Sequence, residues 1–359
     1  MKIYLKTYGC VANQSDSEAM AGLLKEEGYN LVNSENEADF VVINTCSVKN
    51  ASQSKELQYI RDTVKNKKVI VGGCLTKTID IRKHIPEVTA VFDTNSINKL
   101  PNIIENPHDE FSDKKEPNRL NIPIVRNKKN IGIIPISQGC LSGCSFCATK
   151  LSRKHLFSYR IGDIKRALEK SVDGGCKLIY LTSQDNGCYG FDIKTSLVEL
   201  LNELITVKGN YKIRVGMMNP WHAKRILDDL VEIYKNENIM KFLHIPVQSG
   251  SEKVLKHMLR IHTVENFKEI VFKFREEFPN ITISTDLIVG YPTETEQDFQ
   301  ETLDLIKETK PEVLNISMFS SRPGTRASKL KQLSSEIIKD RSRRLTELYK
   351  EIKKKEIKL

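Results

Sequence analysis

No stretch of this 359-residue chain approaches the ~20 consecutive apolar residues that a bilayer-spanning helix needs. The N-terminus, residues 1–6, runs straight into a strand-like pattern and lacks the apolar core of a secretory signal. Both absences make the cytoplasm the expected setting. The eight cysteines there read as metal or redox ligands rather than disulfides. No self-similarity is visible at a period of about 20–50 residues, so a solenoid or propeller is not indicated. The seven histidines are scattered without metal-ligand spacing. No acid–base pair stands at a convincing spacing either, which argues against a reaction built on general acid–base catalysis.

What is present is a soluble globular composition, 39% hydrophobic and 28% charged, long enough for two domains. The net charge of +10 is unevenly placed. Residues 1–130 contribute +2, residues 131–330 contribute +3, and the last 29 residues contribute +5. A basic C-terminal segment suits contact with a polyanion, although a solvated lysine-rich helix has the same composition.

Short apolar runs and helical stretches alternate over residues 1–105, with strands expected at Lys2–Thr7, Phe40–Asn44 and Lys68–Val71. Helices are expected near Ser15–Glu27 and Ser47–Val64. That alternation predicts an α/β fold with a parallel, Rossmann-like sheet. Residues 106–129 are polar and aperiodic and read as a linker. A second alternation fills 130–330, with strands expected at Ile131–Ser137, Leu178–Ser183, Tyr211–Gly216, Phe242–Pro246, Thr282–Val289 and Val313–Phe319. Helices are expected at Thr263–Glu277 and Glu294–Thr309. Six such units predict a partial (β/α)6 barrel whose ligands bind at the carboxyl ends of the strands. Residues 331–359 read as a basic amphipathic helix, with Ile338, Leu345, Leu348 and Ile352 on its apolar face.

Three cysteines, Cys140, Cys144 and Cys147, stand as C-x3-C-x2-C in GCLSGCSFC, directly after the apolar run 131–136. Structural zinc takes four ligands. A [4Fe–4S] cluster normally takes four cysteines, so three from one loop leave an iron open for a substrate or cofactor. Cys10, Cys46 and Cys74 form a second set, each closely following one of the three expected N-terminal strands. If the sheet is parallel, all three thiols emerge at one edge, where the neighbouring glycines let the backbone crowd close. A second three-cysteine cluster with an open iron is the expectation. Cys176 and Cys188 have no partners in this pattern and read as structural.

The C-x3-C-x2-C loop, with Phe146 just before its last cysteine, is the signature of radical S-adenosylmethionine (SAM) enzymes. GCVANQSDSE around Cys10, NTCSV around Cys46 and VGGC at Cys74 widen the match, as do LTSQDNGCYG, IPVQSGS, DLIVGYPTETEQDF and FSSRPGTRA. On these segments the chain resembles the radical-SAM methylthiotransferases over essentially its whole length. NPW at 219–221, FLHIPVQSGS and TSQDNGCYG resemble the branch acting on N6-threonylcarbamoyladenosine beside the tRNA anticodon.

The resemblance implies two [4Fe–4S] clusters and two molecules of SAM, with a methylthio group placed on C2 of the adenine. One cluster would cleave SAM to a 5′-deoxyadenosyl radical while the Cys10/Cys46/Cys74 cluster holds the group to be transferred. A ferredoxin- or flavodoxin-type protein would supply low-potential electrons. It further implies that Ser183, Gln184 and Asp185 face the SAM or the target base, with Asp185 accepting from ribose hydroxyls or else capping a turn. Gln248 and Ser249 are similar candidates, Gly290 would let backbone approach the SAM adenine or else only make a turn, and Arg260 would pair with the SAM carboxylate or else lie on the surface. Arg322 would meet tRNA phosphate or the threonyl carboxylate, and Tyr8 and Asn13 would line the auxiliary cluster. Trp221 would stack on a base or pack in the core. Sister branches act on isopentenyladenosine or on a ribosomal-protein aspartate. A non-catalytic, metal-stabilised RNA-binding module is the alternative of another class, and would need closed four-ligand sites. One departure stands out: the family's closing β-barrel, the TRAM domain, has no counterpart before Leu359. That departure bears on tRNA affinity and not on the chemistry.

Overall fold

The protein was analysed as a computed structural model, which describes residues 1–47, 50–112, 119–120 and 122–356. It divides into two compact units. The first comprises Met1–Cys140, Cys147–Gln184 and Gly209–Tyr211; the second comprises Leu141–Phe146, Asp185–Lys208 and Lys212–Leu359.

The first unit opens with β1 (Lys2–Thr7), α1 (Val11–Glu26), β2 (Asn30–Val32), β3 (Phe40–Thr45), α2 (Asn50–Thr63), β4 (Lys68–Gly73) and β5 (Ala90–Val91). The strands form one sheet in the order β2-β1-β3-β4-β5, with every pairing parallel. All six residues of β3 are buried, as a central strand of a parallel sheet must be when helices cover both faces. Alternate residues feed opposite cores. Phe40, Val42 and Ile70 pack with Ile3, Met20 and Leu24 on one face, while Val41, Ile43, Val69 and Val71 pack with Ile60 and Leu75 on the other.

The expected central strands fall on β1, β3 and β4. The first helix begins at Val11, four residues before its expected start, because its polar opening turns are buried rather than solvated. The two edge strands β2 and β5, of three and two residues, were too short to stand out as periodic segments. Described parts of the 106–129 stretch lie against this unit: Val125 N donates to the Glu18 carbonyl at 2.9 Å, and Arg119 is buried against Asp16.

The first unit also holds two strands of the second alternation, β6 (Ile131–Pro135) and Leu178–Thr182, paired parallel. In the second unit Phe242–His244, Thr282–Val289 and Val313–Met318 run parallel in that order. The helix Val264–Glu277 starts from a capping box of Thr263 with Asn266, and Glu296–Thr309 from one of Thr295 with Asp298. The basic C-terminal segment is helical over Ser335–Glu356. Leu345 buries its side chain, and Arg341 pairs with buried Glu294 at 2.7 Å. No described helix is long and apolar enough to cross a membrane.

Candidate cluster sites and the residues that hold them

Parallel pairing brings the ends of β1, β3 and β4 to one edge of the sheet. Thr7 lies opposite Asn44, and Thr45 lies opposite Gly73. Cys46 and Cys74 therefore leave adjacent strands side by side, and the Cys74 amide donates to the Thr45 carbonyl at 3.0 Å. Gly73 sits at φ +100°, and a Cβ there would lie 2.4 Å from the Thr45 carbonyl oxygen, so only glycine makes this turn into Cys74. A Cβ on Gly9 would lie 2.7 Å from the Cys46 sulfur, which places the loop bearing Cys10 directly against Cys46. Cys10 is the N-cap of α1.

Asn13 stitches the three loops together. Its amide nitrogen donates to the Tyr8 carbonyl at 3.0 Å and to the Thr45 carbonyl at 2.8 Å, and its amide oxygen accepts from the Cys74 thiol at 3.7 Å. Asn44 ties its own amide back to the Asn13 carbonyl at 2.8 Å. Tyr8 meets Tyr59 edge to face, with ring centroids 6.1 Å apart. Burial pushes the Cys74 thiol up; Arg153 pulls it back and Cys10 adds to the rise. An iron bound at that sulfur deprotonates it outright. The donor set is three soft sulfurs at one edge, which fits a cluster that keeps one iron open.

The C-x3-C-x2-C loop is anchored separately in each unit. In the first, Gly139 N donates to Gln184 Oε1 at 2.6 Å, and Lys150 Nζ donates to the Cys140 carbonyl. In the second, Ser145 N donates to the Met258 carbonyl at 2.9 Å, and its hydroxyl lies 2.8 Å from the Tyr291 hydroxyl and 3.0 Å from the His257 carbonyl. Ala327 N donates to the Ser145 carbonyl at 2.9 Å, and Phe146 packs against Val254, Met258, Tyr291, Phe319 and Ala327. Arg260 donates to the Cys144 sulfur at 3.6 Å and to the Pro246 carbonyl at 2.6 Å. Cys140, Cys144 and Cys147 are each half-buried.

Asp185 is a buried hub of the second unit. Oδ1 accepts from Gly187 N and Asn219 N, both at 3.0 Å, and Oδ2 lies 2.8 Å from His222 Nδ1. Asn219 in turn donates to Ser142 Oγ at 2.9 Å, so the NPW segment holds the cysteine loop through a residue between Cys140 and Cys144. Gln248 takes φ +77°, a costly left-handed conformation for a side-chain-bearing residue, held by hydrogen bonds with Asp286 and Ile288. Ser249 is buried and accepts from Ser251 N at 3.2 Å. Ser183 is half-buried at the end of its strand.

Gly290 abuts the C-terminal helix, where a Cβ would lie 2.5 Å from Ile338. Arg322 is buried in a turn closed by Thr325. Trp221 is 36% exposed, so core packing does not describe it. Cys188 is fully buried and donates to the Asp185 carbonyl at 3.1 Å, and buried Cys176 donates to the Lys129 carbonyl at 3.5 Å. Sequence reasoning passed over Asp16, Arg119, Arg153, Asn219 and Tyr291. Asp16, Asn219 and Tyr291 left a signal, lying within the GCVANQSDSE, NPW and DLIVGYPTETEQDF segments, whereas Arg119 and Arg153 left none.

Comparison with known proteins places the chain in a family. Residues 134–306 match the family described as "Radical SAM superfamily", and residues 2–93 match "Uncharacterized protein family UPF0004". The chain's fold is similar to that of the radical SAM methyltransferase TsrM from Kitasatospora setae, at TM-score 0.66 and 13% identity, over 91% of this chain and 75% of that one. The second alternation is thus of the radical SAM class. A "Probable threonylcarbamoyladenosine tRNA methylthiotransferase" of Pyrococcus horikoshii is 42% identical over 96% of this chain and 83% of its own. The Drosophila melanogaster and Homo sapiens proteins named threonylcarbamoyladenosine tRNA methylthiotransferase are 37% and 36% identical, with 65% and 62% of their lengths covered. The chain belongs to the radical-SAM methylthiotransferase family of these relatives.

Two predictions follow from the geometry of the second unit. Replacing Asp185 with alanine strands two backbone N–H groups and an imidazole in the interior, each at a cost of about 1–3 kcal/mol. Urea unfolding of Asp185→Ala should show that loss, with Asp185→Asn intermediate; an unchanged midpoint would contradict the anchoring role.

The second prediction concerns His262, which is buried with Nε2 3.1 Å from the Val247 carbonyl. Burial, aided by the charge of Arg260, lowers its pKa to about 3. The unfolded chain takes up a proton at this ring below about pH 6.5, whereas the folded chain refuses it until far lower pH. Stability therefore falls as pH drops through that window. His262→Gln should flatten this slope in denaturation curves compared at about pH 7 and about pH 4.5; an identical slope in the variant would contradict it.

Proposed function

We propose that the chain is a tRNA methylthiotransferase that places a methylthio group on C2 of N6-threonylcarbamoyladenosine beside the anticodon. The convergence of Cys10, Cys46 and Cys74 on one sheet edge, in a chain that also carries the C-x3-C-x2-C loop, carries this reading. The names of the archaeal and animal relatives supply the substrate. When bound, two [4Fe–4S] clusters and SAM supply the radical and sulfur-transfer chemistry that substitution at an unactivated aromatic C–H demands.

The chain's own residues bind, orient and shield. Cys140, Cys144 and Cys147 would hold one cluster, and Phe146 packs its part of the loop into the core of the second unit. Cys10, Cys46 and Cys74 hold the other, with Asn13 keeping the three loops in register. Ser183, Gln184, Gln248 and Ser249 are assigned to SAM. Asp185 acts by holding Asn219 and His222, Arg260 by holding the Cys144 sulfur, and Gly290 by admitting the C-terminal helix. Arg322 is assigned to the substrate's phosphate or carboxylate. A low-potential electron donor of ferredoxin or flavodoxin type and a cytoplasmic setting complete the reading.

The test is nucleoside mass spectrometry of tRNA bearing threonylcarbamoyladenosine, after incubation with anaerobically reconstituted protein, SAM and reductant. A methylthio gain on that nucleoside is the expected result. Formation of 5′-deoxyadenosine with the nucleoside unchanged would show that the substrate assignment is wrong.

A further inference from the structure

Beneath the cysteine edge of the first unit lies a buried ionic cluster that the proposed reaction leaves unexplained. Asp16, in the second turn of α1, holds two guanidinium groups. Arg119 Nε meets Oδ1 at 2.6 Å and Arg153 Nη2 meets Oδ2 at 2.5 Å, with no side chain of the three more than 4% exposed. Arg153 also donates from Nη1 to Gln138 Oε1 at 2.9 Å. Arg119 donates to the Thr94 carbonyl and hydrogen-bonds the Tyr159 hydroxyl, which burial keeps protonated and uncharged.

One face of this cluster is turned to a cysteine. The buried Arg153 guanidinium interacts electrostatically with the Cys74 thiol and holds its pKa down against burial. Its neighbour Ser152 donates from Oγ to the Cys74 carbonyl at 2.8 Å. Both residues belong to the segment that follows Cys147, so one stretch of chain leaves the first set of cysteines and clamps a member of the second.

Among the described residues the charges of this cluster do not balance. One carboxylate faces two guanidiniums, and an excess cation held out of water costs several kcal/mol unless an anion stands beside it. Three thiolates outweigh the charge of an oxidised [4Fe–4S] core, so a cluster on Cys10, Cys46 and Cys74 is such an anion, and Cys74 is the ligand in contact. We propose that Arg153 is a positioning residue of the auxiliary cluster. It fixes the Cys74 sulfur and sets a buried positive charge against the cluster that raises its reduction potential, while Asp16 holds the guanidinium and tempers that charge. This rests on the reading of Cys10, Cys46 and Cys74 as cluster ligands.

The experiment uses the full chain carrying Cys140→Ala, Cys144→Ala and Cys147→Ala, so that only the auxiliary site is loaded. Iron content is measured after anaerobic reconstitution, thermal melting reports the fold, and a redox titration followed by electron paramagnetic resonance gives the midpoint. Arg153→Gln should move the midpoint to more negative potential, Asp16→Asn to more positive, and Arg153→Lys should shift it less than the glutamine variant. Shifts of the same sign in Arg153→Gln and Asp16→Asn, or no shift in either at parental iron content, would overturn the proposal. If Arg153→Gln folds but takes up no iron, loading of Arg153→Lys supports a charge that holds the anion. Equal loss in both at an unchanged melting temperature would overturn it. No iron in the parent itself would remove the cluster reading, and the proposal with it.

Discussion

Three parallel strands that end together are the constraint on which the first unit's chemistry depends. In an antiparallel sheet, neighbouring strands would deliver their following residues to opposite edges, and Cys46 would lie a strand length from Cys10 and Cys74. Parallel pairing of β1, β3 and β4 puts all three on one edge, from positions tens of residues apart in sequence. The remaining precision comes from short-range devices. Gly73 turns the chain where no side chain fits, Gly9 admits the Cys46 sulfur, and Asn13 ties the loops through three hydrogen bonds.

That edge also explains why α1 is unusual. A helix lying on a sheet normally buries an apolar stripe, yet α1 buries Asn13, Ser15, Asp16, Ser17 and Glu18 in its opening turns. Four of them have work at the edge or next to it: Asn13 and Ser17 bond to Asn44, Asp16 holds two arginines, and Glu18 accepts from Asn127 N at 3.0 Å. Burying such groups is costly unless every one finds a partner. The second unit follows the same rule around Asp185, whose carboxylate gathers a tight turn, the start of the NPW helix and an imidazole.

Most of the cysteine architecture was legible in the sequence, because a thiol just past a hydrophobic β-run has one place to go once the sheet is parallel. The central strands were legible for the same reason, being apolar on both faces. The start of α1 was not, since its buried polar residues look solvated when only hydrophobic period is read. The roles of Arg153 and of Asn219 in the NPW segment were not legible, because the residues they act on, Cys74 and Ser142, are distant in sequence and no local pattern links them. Trp221 illustrates the opposite error, a large aromatic that hydrophobicity sends to the core and the fold leaves partly in solvent. The C-terminal helix was read from its apolar period, but its lock on the rest of the unit is ionic, through buried Arg341 and Glu294.

The account's central claim is that one chain holds two separate, incompletely ligated clusters. Iron and sulfide analysis of three anaerobically reconstituted full-length proteins tests it most directly. The parent should hold about eight irons per chain, and removal of either cysteine set by alanine substitution should leave about four. A protein lacking Cys10, Cys46 and Cys74 that still holds as much iron as the parent would contradict the claim.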